Sequence, residues 1–476
     1  MRRTKIIATI GPATAAGDRL HALAEAGMDV ARLNFSHGSH ATHAEAMAHL
    51  REIGKQRDKP LAILQDLCGP KIRLGDLPEE GISVAAGQEV AFVLQAAGDR
   101  PEEIPLPNSI VFAMVREGEP ISIDDGRIKL ITSDRDADTI RATVKIGGTL
   151  LSHKGVNLPQ TSLPLPSVTD KDLADLRFGI KQGVDWVAVS FVRSARDLES
   201  VRRAIEAARS QTRIIAKIEK REAVEEFDRI LDTADAIMIA RGDLGVEMPL
   251  ERVPLIQKDI IRRCNSAGKP VITATQMLES MISAPDPTRA EAADVANSIL
   301  DGTDAVMLSG ETAVGKYPVD AVRVMSDIAV EMEQARQQQT WQPLGSPEGS
   351  LSVTESVAES VCQIAYETGS RLIICNTTSG GTARLVSKYR PMKPTIAFTP
   401  DRVTYQQLAL SWGVQPYLIP AATNTEDMLI VTIERAIAQG LVTEGDKVVI
   451  TSGVPIGTPG STSLIKVHTI GQSISA

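Results

Sequence analysis

Arg213-Ile214-Ile215-Ala216-Lys217-Ile218-Glu219 and, one helix-length segment later, Ala236-Ile237-Met238-Ile239-Ala240-Arg241-Gly242-Asp243-Leu244-Gly245 carry the pattern that decides the fold. Each begins with a short run that is apolar on both faces, as parallel strands covered by helices must be, and the segment between has helical period. The alternation continues outward. Lys5 to Ile10, Met28 to Leu33, Leu61 to Gln65 and Val184 to Ser190 precede these runs, and Pro270 to Ala274 and Asp304 to Leu308 follow. The expected fold is therefore α/β, a TIM (β/α)8 barrel, with its reactive groups where strands end and loops begin.

Helix signals fit this reading. Ser194-Ala195-Arg196-Asp197 opens a helix running to Ser210, Thr288-Arg289-Ala290-Glu291 forms a stricter capping box, and Asp301-Gly302 ends the second helix. The repeat is interrupted once, by about 100 residues, a size suited to a separate domain. There Ile82-Ser83-Val84, Val90 to Val93, Ile121-Ser122-Ile123 and Ile128 to Ile131, with the turn Asp125-Gly126, predict a small antiparallel β-barrel. It leaves the third strand's carboxyl end, so it is placed to act as a lid over the mouth. Near Trp341 to Ser350 the composition becomes that of a linker, and Arg371 to Asn376, Thr395 to Phe398, Lys447 to Thr451 and Leu464 to His468 then alternate with helical stretches as an open α/β unit. The expected domains are 1–67 and 167–340 for the barrel, 68–166 for the lid and 341–476 for a C-terminal regulatory unit.

Composition narrows the function. Against 60 Asp+Glu stand 51 Lys+Arg, interleaved rather than clustered, for a net charge of −9, which argues against nucleic acid. The aromatics, 3 Trp, 5 Tyr and 7 Phe, are too scattered for stacking platforms. Cys68, Cys264, Cys362 and Cys375 form no C-x-x-C pair, consistent with a reducing compartment. The opening residues meet Gly11-Pro12 before a signal-length apolar run develops, and no run approaches the roughly 18 residues of a membrane helix. A cytoplasmic protein with no membrane partner is expected.

Period two places Lys217 and Glu219 on one side of the fifth strand, toward the barrel axis, where they serve either as a structural ion pair or as part of a site. The sixth strand ends with Asp243 between two glycines, either capping the next helix or joining Glu219 as a pair of hard carboxylates suited to Mg²⁺. The second strand aligns Arg32, Asn34 and Ser36, and the third ends Asp66-Leu67-Cys68-Gly69-Pro70-Lys71-Ile72-Arg73. Arg32 and Arg73 offer forks for phosphate or carboxylate, ordered by Asp66. Thr275 presents a hydroxyl just before an expected helix start, as an N-cap or an anion contact. His37, His40 and His43 read as solvated residues at a helix start rather than as metal ligands. No Walker or dinucleotide-binding glycine motif occurs.

Thr4 to Pro12, Arg32-Leu33-Asn34-Phe35-Ser36-His37-Gly38, Lys217-Ile218-Glu219, Ala240 to Glu247 and Ala274 to Met281 together resemble the pyruvate kinase family, along the whole chain. The resemblance implies transfer of phosphoryl from phosphoenolpyruvate to ADP, giving pyruvate and ATP. It implies that Lys217 stabilises the moving phosphoryl group and that Glu219 and Asp243 hold Mg²⁺ or Mn²⁺. Gly242, Asp243 and Thr275 would contact substrate, with Thr275 near the carbon that is protonated. Arg32 and Arg73 would contact phosphate, and His37 and Lys171 the nucleotide. Family members that bind K⁺ use positions matching Asn34, Ser36, Asp66 and a Thr at Leu67, with Glu at Lys71; the ammonium here predicts activity without K⁺. The loop Thr377-Thr378-Ser379-Gly380-Gly381-Thr382 reads as a phosphate nest or a plain capped turn, and resembles the family's pocket for phosphorylated effectors. Ser452 to Thr458 lacks Arg and Lys, which disfavours a second phosphate grip. A homotetramer is implied by resemblance alone. A Mg²⁺-dependent lyase or aldolase on the same barrel, and a non-catalytic metabolite sensor, are the rival readings.

Overall fold

The computed structural model describes residues 2–94, 103–337, 351–454 and 460–473. Eight parallel strands close into a barrel: Lys5–Ile10, Val30–Asn34, Ala62–Asp66, Trp186–Val189, Arg213–Ile218, Ala236–Ala240, Val271–Ala274 and Ala305–Leu308. The interior is packed. Ile7, Val30, Leu64, Trp186, Ala188, Ile215, Met238, Ile272 and Met307 meet along the axis, while Leu33, Ile63, Val187, Ala216 and Ile237 pack outward against helices. Side chains alternate along a strand, so the axis-facing residues continue upward to Thr9, Arg32, Asp66, Ser190, Lys217 and Glu219.

The other end of the barrel is plugged by the C-terminal unit. Ala409 and Leu410 join the axial core, Lys5 Nζ donates to the Val414 carbonyl at 2.8 Å, and Arg213 Nε donates to Gln407 Oε1 at 2.8 Å. The mouth bearing Lys217 is thus the end left for chemistry.

The insertion is a curled six-stranded sheet, mostly antiparallel, beside a two-stranded ribbon, around Phe92, Phe112, Ile121, Leu130 and Ile140. The outgoing and returning chains of its stem are joined by an Arg73–Gly155 bridge and a bond from Val156 N–H to the Ile72 carbonyl at 2.9 Å. Thr139–Ile146, absent from the expected strands, pairs with both Ile128–Arg135 and Glu89–Val93.

The C-terminal sheet is parallel except for its edge strand Thr462–Thr469. Its other edge, Val414–Leu418, was not apparent in the sequence because Pro416 interrupts it; an edge strand tolerates that missing donor. The linker expected at 341–350 lies outside the described residues, as does most of the loop from Ser452 to Thr458.

Of the two capping signals, one marks its helix start and the other is shifted. Thr288 and Glu291 cap the helix Arg289–Leu300 reciprocally, and Gly302, at φ +100°, ends the turn that follows. After Ser194, however, a 3-10 turn Ala195–Leu198 precedes the helix Glu199–Ala207. Asp197 accepts from both Arg193 and Ser194 N–H and tightens that first turn. No helix among the described residues is long and apolar enough to cross a membrane.

Candidate active site

Lys217 is the hub of the barrel mouth. Its Nζ donates to Ser190 Oγ at 2.7 Å and lies 2.8 Å from Glu219 Oε1 and 3.4 Å from Asp66 Oδ1, while only 9% of the residue is exposed. Burial by itself would lower the ammonium's pKa. Asp66 and Glu219 outweigh it and hold the group well above the ordinary lysine range. Lys217 is therefore a fixed positive charge rather than a group that exchanges protons near neutrality.

Asp66 orders the second cation. Arg32 presents Nε and Nη2 to Asp66 Oδ2, each at 2.7 Å, and its Nη1 donates to Thr9 Oγ1 at 2.9 Å. Burial would raise the Asp66 pKa, but Lys217 and Arg32 bring it below the usual carboxylate range. Lys217 and Arg32 thus share Asp66 between them, and Lys217 also faces Glu219, so both cations are held in fixed positions at the mouth.

Glu219 is buried, with Oε2 accepting Phe191 N–H at 2.7 Å. Asp243 stands in the first turn of the short helix Arg241–Glu247, and that helix has no side-chain cap bond, so the capping alternative is set aside. Burial and then the charge of Glu219 push Asp243 up to about 6, with Lys217 and Lys71 opposing. The nearby lysines therefore only partly offset the burial and the charge of Glu219 that Asp243 feels. This donor set fits a divalent cation: Mg²⁺ takes one or two carboxylates and completes its shell with substrate oxygens and water. Among the described residues no group of three or more His, Cys, Asp or Glu is arranged to hold a metal.

Thr275 does not precede a helix. Thr275 and Gln276 both adopt left-handed backbone, φ +66° and +54°, and the next element is the 3-10 turn Glu279–Ile282. The Thr275 hydroxyl instead accepts Gly242 N–H at 2.7 Å and donates to the Ala274 carbonyl at 2.7 Å. It thereby joins the ends of the neighbouring strands six and seven, a pairing that local sequence signals do not reveal.

The nucleotide candidates lie to one side. His37 is exposed; Lys171 Nζ donates to the Phe35 carbonyl at 3.0 Å and pairs with Asp175 at 2.6 Å. Of the other histidines, His40 is exposed as expected and His43 is not. His43 is buried, stacked on Phe35 at 4.2 Å and bonded to the His37 carbonyl, and His40 pairs with Asp175 and stacks on Phe178 at 4.1 Å. Arg73 sits in the lid stem, donating to the His153 carbonyl at 2.9 Å.

In the monovalent-cation region, Asn34 Oδ1 accepts Ser36 N–H at 3.1 Å, and Asn34 is in register with Asp66. The Leu67 side chain packs outward among Leu176, Val187 and Val192. Lys71 is exposed beside Gly155, where an added Cβ would come within 2.8 Å of Lys71 Cε. Glycine at 155 gives the Lys71 chain room in a cleft of about 600 Å³ shared with Phe191, Asn157 and Lys220.

The loop Thr377–Thr382 borders a separate cleft of about 700 Å³, open to solvent. Its described lining is uncharged, with Leu385, Phe398, Ile419 and Met428 forming an apolar wall. Asn376 Nδ2 is buried there with no partner among the described residues. Gly380 caps the following helix at φ +79° with no side-chain cap bond.

Ser190, the Phe191 N–H, Thr9 and Arg241 were not legible as site residues. Ser190 had a usable signal, since it follows Trp186 and Ala188 at period two.

The comparisons agree along the chain. The family profile described as "Pyruvate kinase, barrel domain" matches residues 1–322, and "Pyruvate kinase, alpha/beta domain" matches 355–468. A pyruvate kinase of Geobacillus stearothermophilus is 47% identical over 477 residues, covering 100% of this chain and 81% of the relative. One from Staphylococcus aureus (strain MRSA252) is 43% identical over 480 residues, covering 100% and 82%. The crystal structure of a pyruvate kinase from Cryptosporidium parvum superposes with a TM-score of 0.91 at 37% identity, covering 98% of this chain and 96% of the other.

Proposed function

The chain belongs to the pyruvate kinase family and is a phosphotransferase, and on that premise we propose how its residues divide the labour of moving phosphoryl from phosphoenolpyruvate to ADP. The observation that carries the reading is the convergence of Lys217, Glu219, Asp66 and Arg32 at one barrel mouth. Lys217 and Arg32 face the phosphoryl oxygens, whose charge in the transition state is met by cations already in place. Their order comes from Asp66, so little reorganisation accompanies transfer. Gly242 and Thr275 hold the carboxylate end of the substrate, with Thr275 beside the carbon that takes up a proton when the enolate becomes pyruvate. His37 and Lys171 lie where the nucleotide enters, and Arg73, in the stem, contacts phosphate when the inserted unit closes.

The family implies a divalent metal requirement. Glu219 and Asp243 would hold the ion, which when bound supplies Lewis-acid charge next to the substrate oxygens.

Two finer points belong to the same proposal. The reaction proceeds without K⁺: both Asp66 oxygens are engaged by Arg32, Lys217 and Ser190, and Lys71 adds a protein-borne cation whose charge reaches Asp243. A phosphorylated metabolite with a single phosphate acts at the loop Thr377–Thr382, supported by the Asn376 Nδ2 donor, which has no partner among the described residues, and the cleft's uncharged described lining. A homotetrameric assembly would cover Leu250 and Leu255, which are 74% and 69% exposed. The four cysteines are free, as a cytoplasmic setting would keep them.

One coupled assay of pyruvate formation tests these points. In Tris and Mg²⁺ the wild type turns over fully, and added KCl changes the rate by less than about twofold. Lys71→Glu loses roughly tenfold, in line with removing part of the several kcal/mol that a nearby unit charge contributes, and KCl restores it. Strong activation of the wild type by KCl would remove Lys71 from this role. Phosphorylated sugars and AMP in the same assay report on the effector, and no pyruvate from phosphoenolpyruvate and ADP would favour the lyase alternative.

A further inference from the structure

Thr275 is placed by a backbone that ordinary residues avoid. Two successive non-glycine residues at positive φ persist only where their surroundings over-determine them, and a β-branched threonine is disfavoured there. The group that does most of this is Arg241. Its Nη2 donates to the Thr275 carbonyl at 2.9 Å and the Gln276 carbonyl at 3.3 Å, and lies 2.7 Å from Met277 Sδ. Its Nη1 is held in turn by Asp294 at 2.7 Å and by Gln257 Oε1 at 3.4 Å, and only 10% of the side chain is exposed. Arg241 also immediately precedes Gly242, whose N–H meets the Thr275 hydroxyl from the other side. Both ends of the strained segment are therefore tied to one residue.

We propose that Arg241 is a positioning residue for the protonation half of the reaction. By pinning the carbonyls of Thr275 and Gln276 it keeps the Thr275 hydroxyl beside the carbon that gains the proton. No hydrogen bond links its guanidinium to Lys217, Glu219 or Asp243, so its effect on phosphoryl transfer runs through Thr275. A lysine cannot replace it, because one ammonium cannot reach Asp294 and two carbonyls in the planar fork that a guanidinium provides.

The inference rests on the pyruvate kinase reading, and the test separates the two. In the full chain, Arg241→Met lowers kcat by about 10²-fold, the scale of a displaced catalytic group. It slows exchange of pyruvate methyl protons with D₂O, followed by NMR with Mg²⁺ and ATP present, by the same factor. The affinity for Mn²⁺ stays within about threefold, because the guanidinium bonds Asp294 and the Thr275 and Gln276 carbonyls and neither metal-holding carboxylate. In a Thr275→Ala background the same substitution adds less than about threefold, because the two residues act as one unit. Asp294→Asn, which frees Nη1 while leaving Arg241 in place, is the second variant should Arg241→Met fail to fold, and it loses roughly tenfold in both rates. Rates within threefold of wild type in either variant, or losses that multiply in the double mutant, overturn the proposal. A wild type that makes no pyruvate overturns the underlying reading instead.

Discussion

Lys217→Met lowers kcat by roughly 10² to 10³, the scale for removing one preorganised donor from a site that stabilises developing charge. Methionine keeps the length of the side chain and much of its packing, so the loss is of charge. The residues left behind sharpen the prediction. Asp66 keeps its pair with Arg32, but Glu219 loses the ammonium 2.8 Å away and becomes a more negative ligand. Apparent Mg²⁺ affinity is therefore unchanged or stronger while turnover collapses. Steady-state rates across a Mg²⁺ titration check both halves. Near-normal turnover by the folded variant removes Lys217 from the mechanism, and a parallel loss of metal affinity would mean that it organises the carboxylates instead.

Glu219→Gln gives the opposite signature. The amide can still accept the Phe191 N–H that now fixes Oε2 at 2.7 Å, so the loop after strand four keeps its anchor. One of two carboxylate charges is gone, however, and Mg²⁺ affinity falls by more than the 10- to 100-fold that loss of an outer-shell partner costs. Burial still raises the Asp243 pKa, but without the added push from Glu219, so Asp243 ionises more readily than in the wild type. High Mg²⁺ then recovers part of kcat, which it cannot do for Lys217→Met. Mn²⁺ binding measured by electron paramagnetic resonance reads the affinity directly; wild-type affinity in Glu219→Gln would place the metal elsewhere.

These opposite responses arise from a site that was only partly visible in the sequence. Lys217, Glu219, Asp243 and Arg32 were legible because period two and strand ends are local properties, and a closed parallel barrel turns strand ends into one mouth. Partners across strands were not. Ser190 meets Lys217, Thr9 meets Arg32 and Gly242 meets Thr275 only once the barrel's neighbours and register are set. Thr275 shows the limit most clearly. Read locally it is a residue before a helix, and its left-handed backbone is stabilised by Arg241 from the adjacent strand's loop. The histidine at 43 failed similarly, since its polar neighbours in sequence suggested solvent while Phe35 covers it in space.

The central claim is that one ammonium and two carboxylates serve a single metal-bound anion. A crystal structure of the full chain with Mn²⁺ and phosphoenolpyruvate, read by the anomalous signal of manganese, tests it most directly. The predicted result is one manganese peak held by Glu219 and Asp243, with Lys217 Nζ bonded to the phosphate. A peak bound by neither carboxylate, or a substrate whose phosphate lies beyond the reach of Lys217, would contradict it.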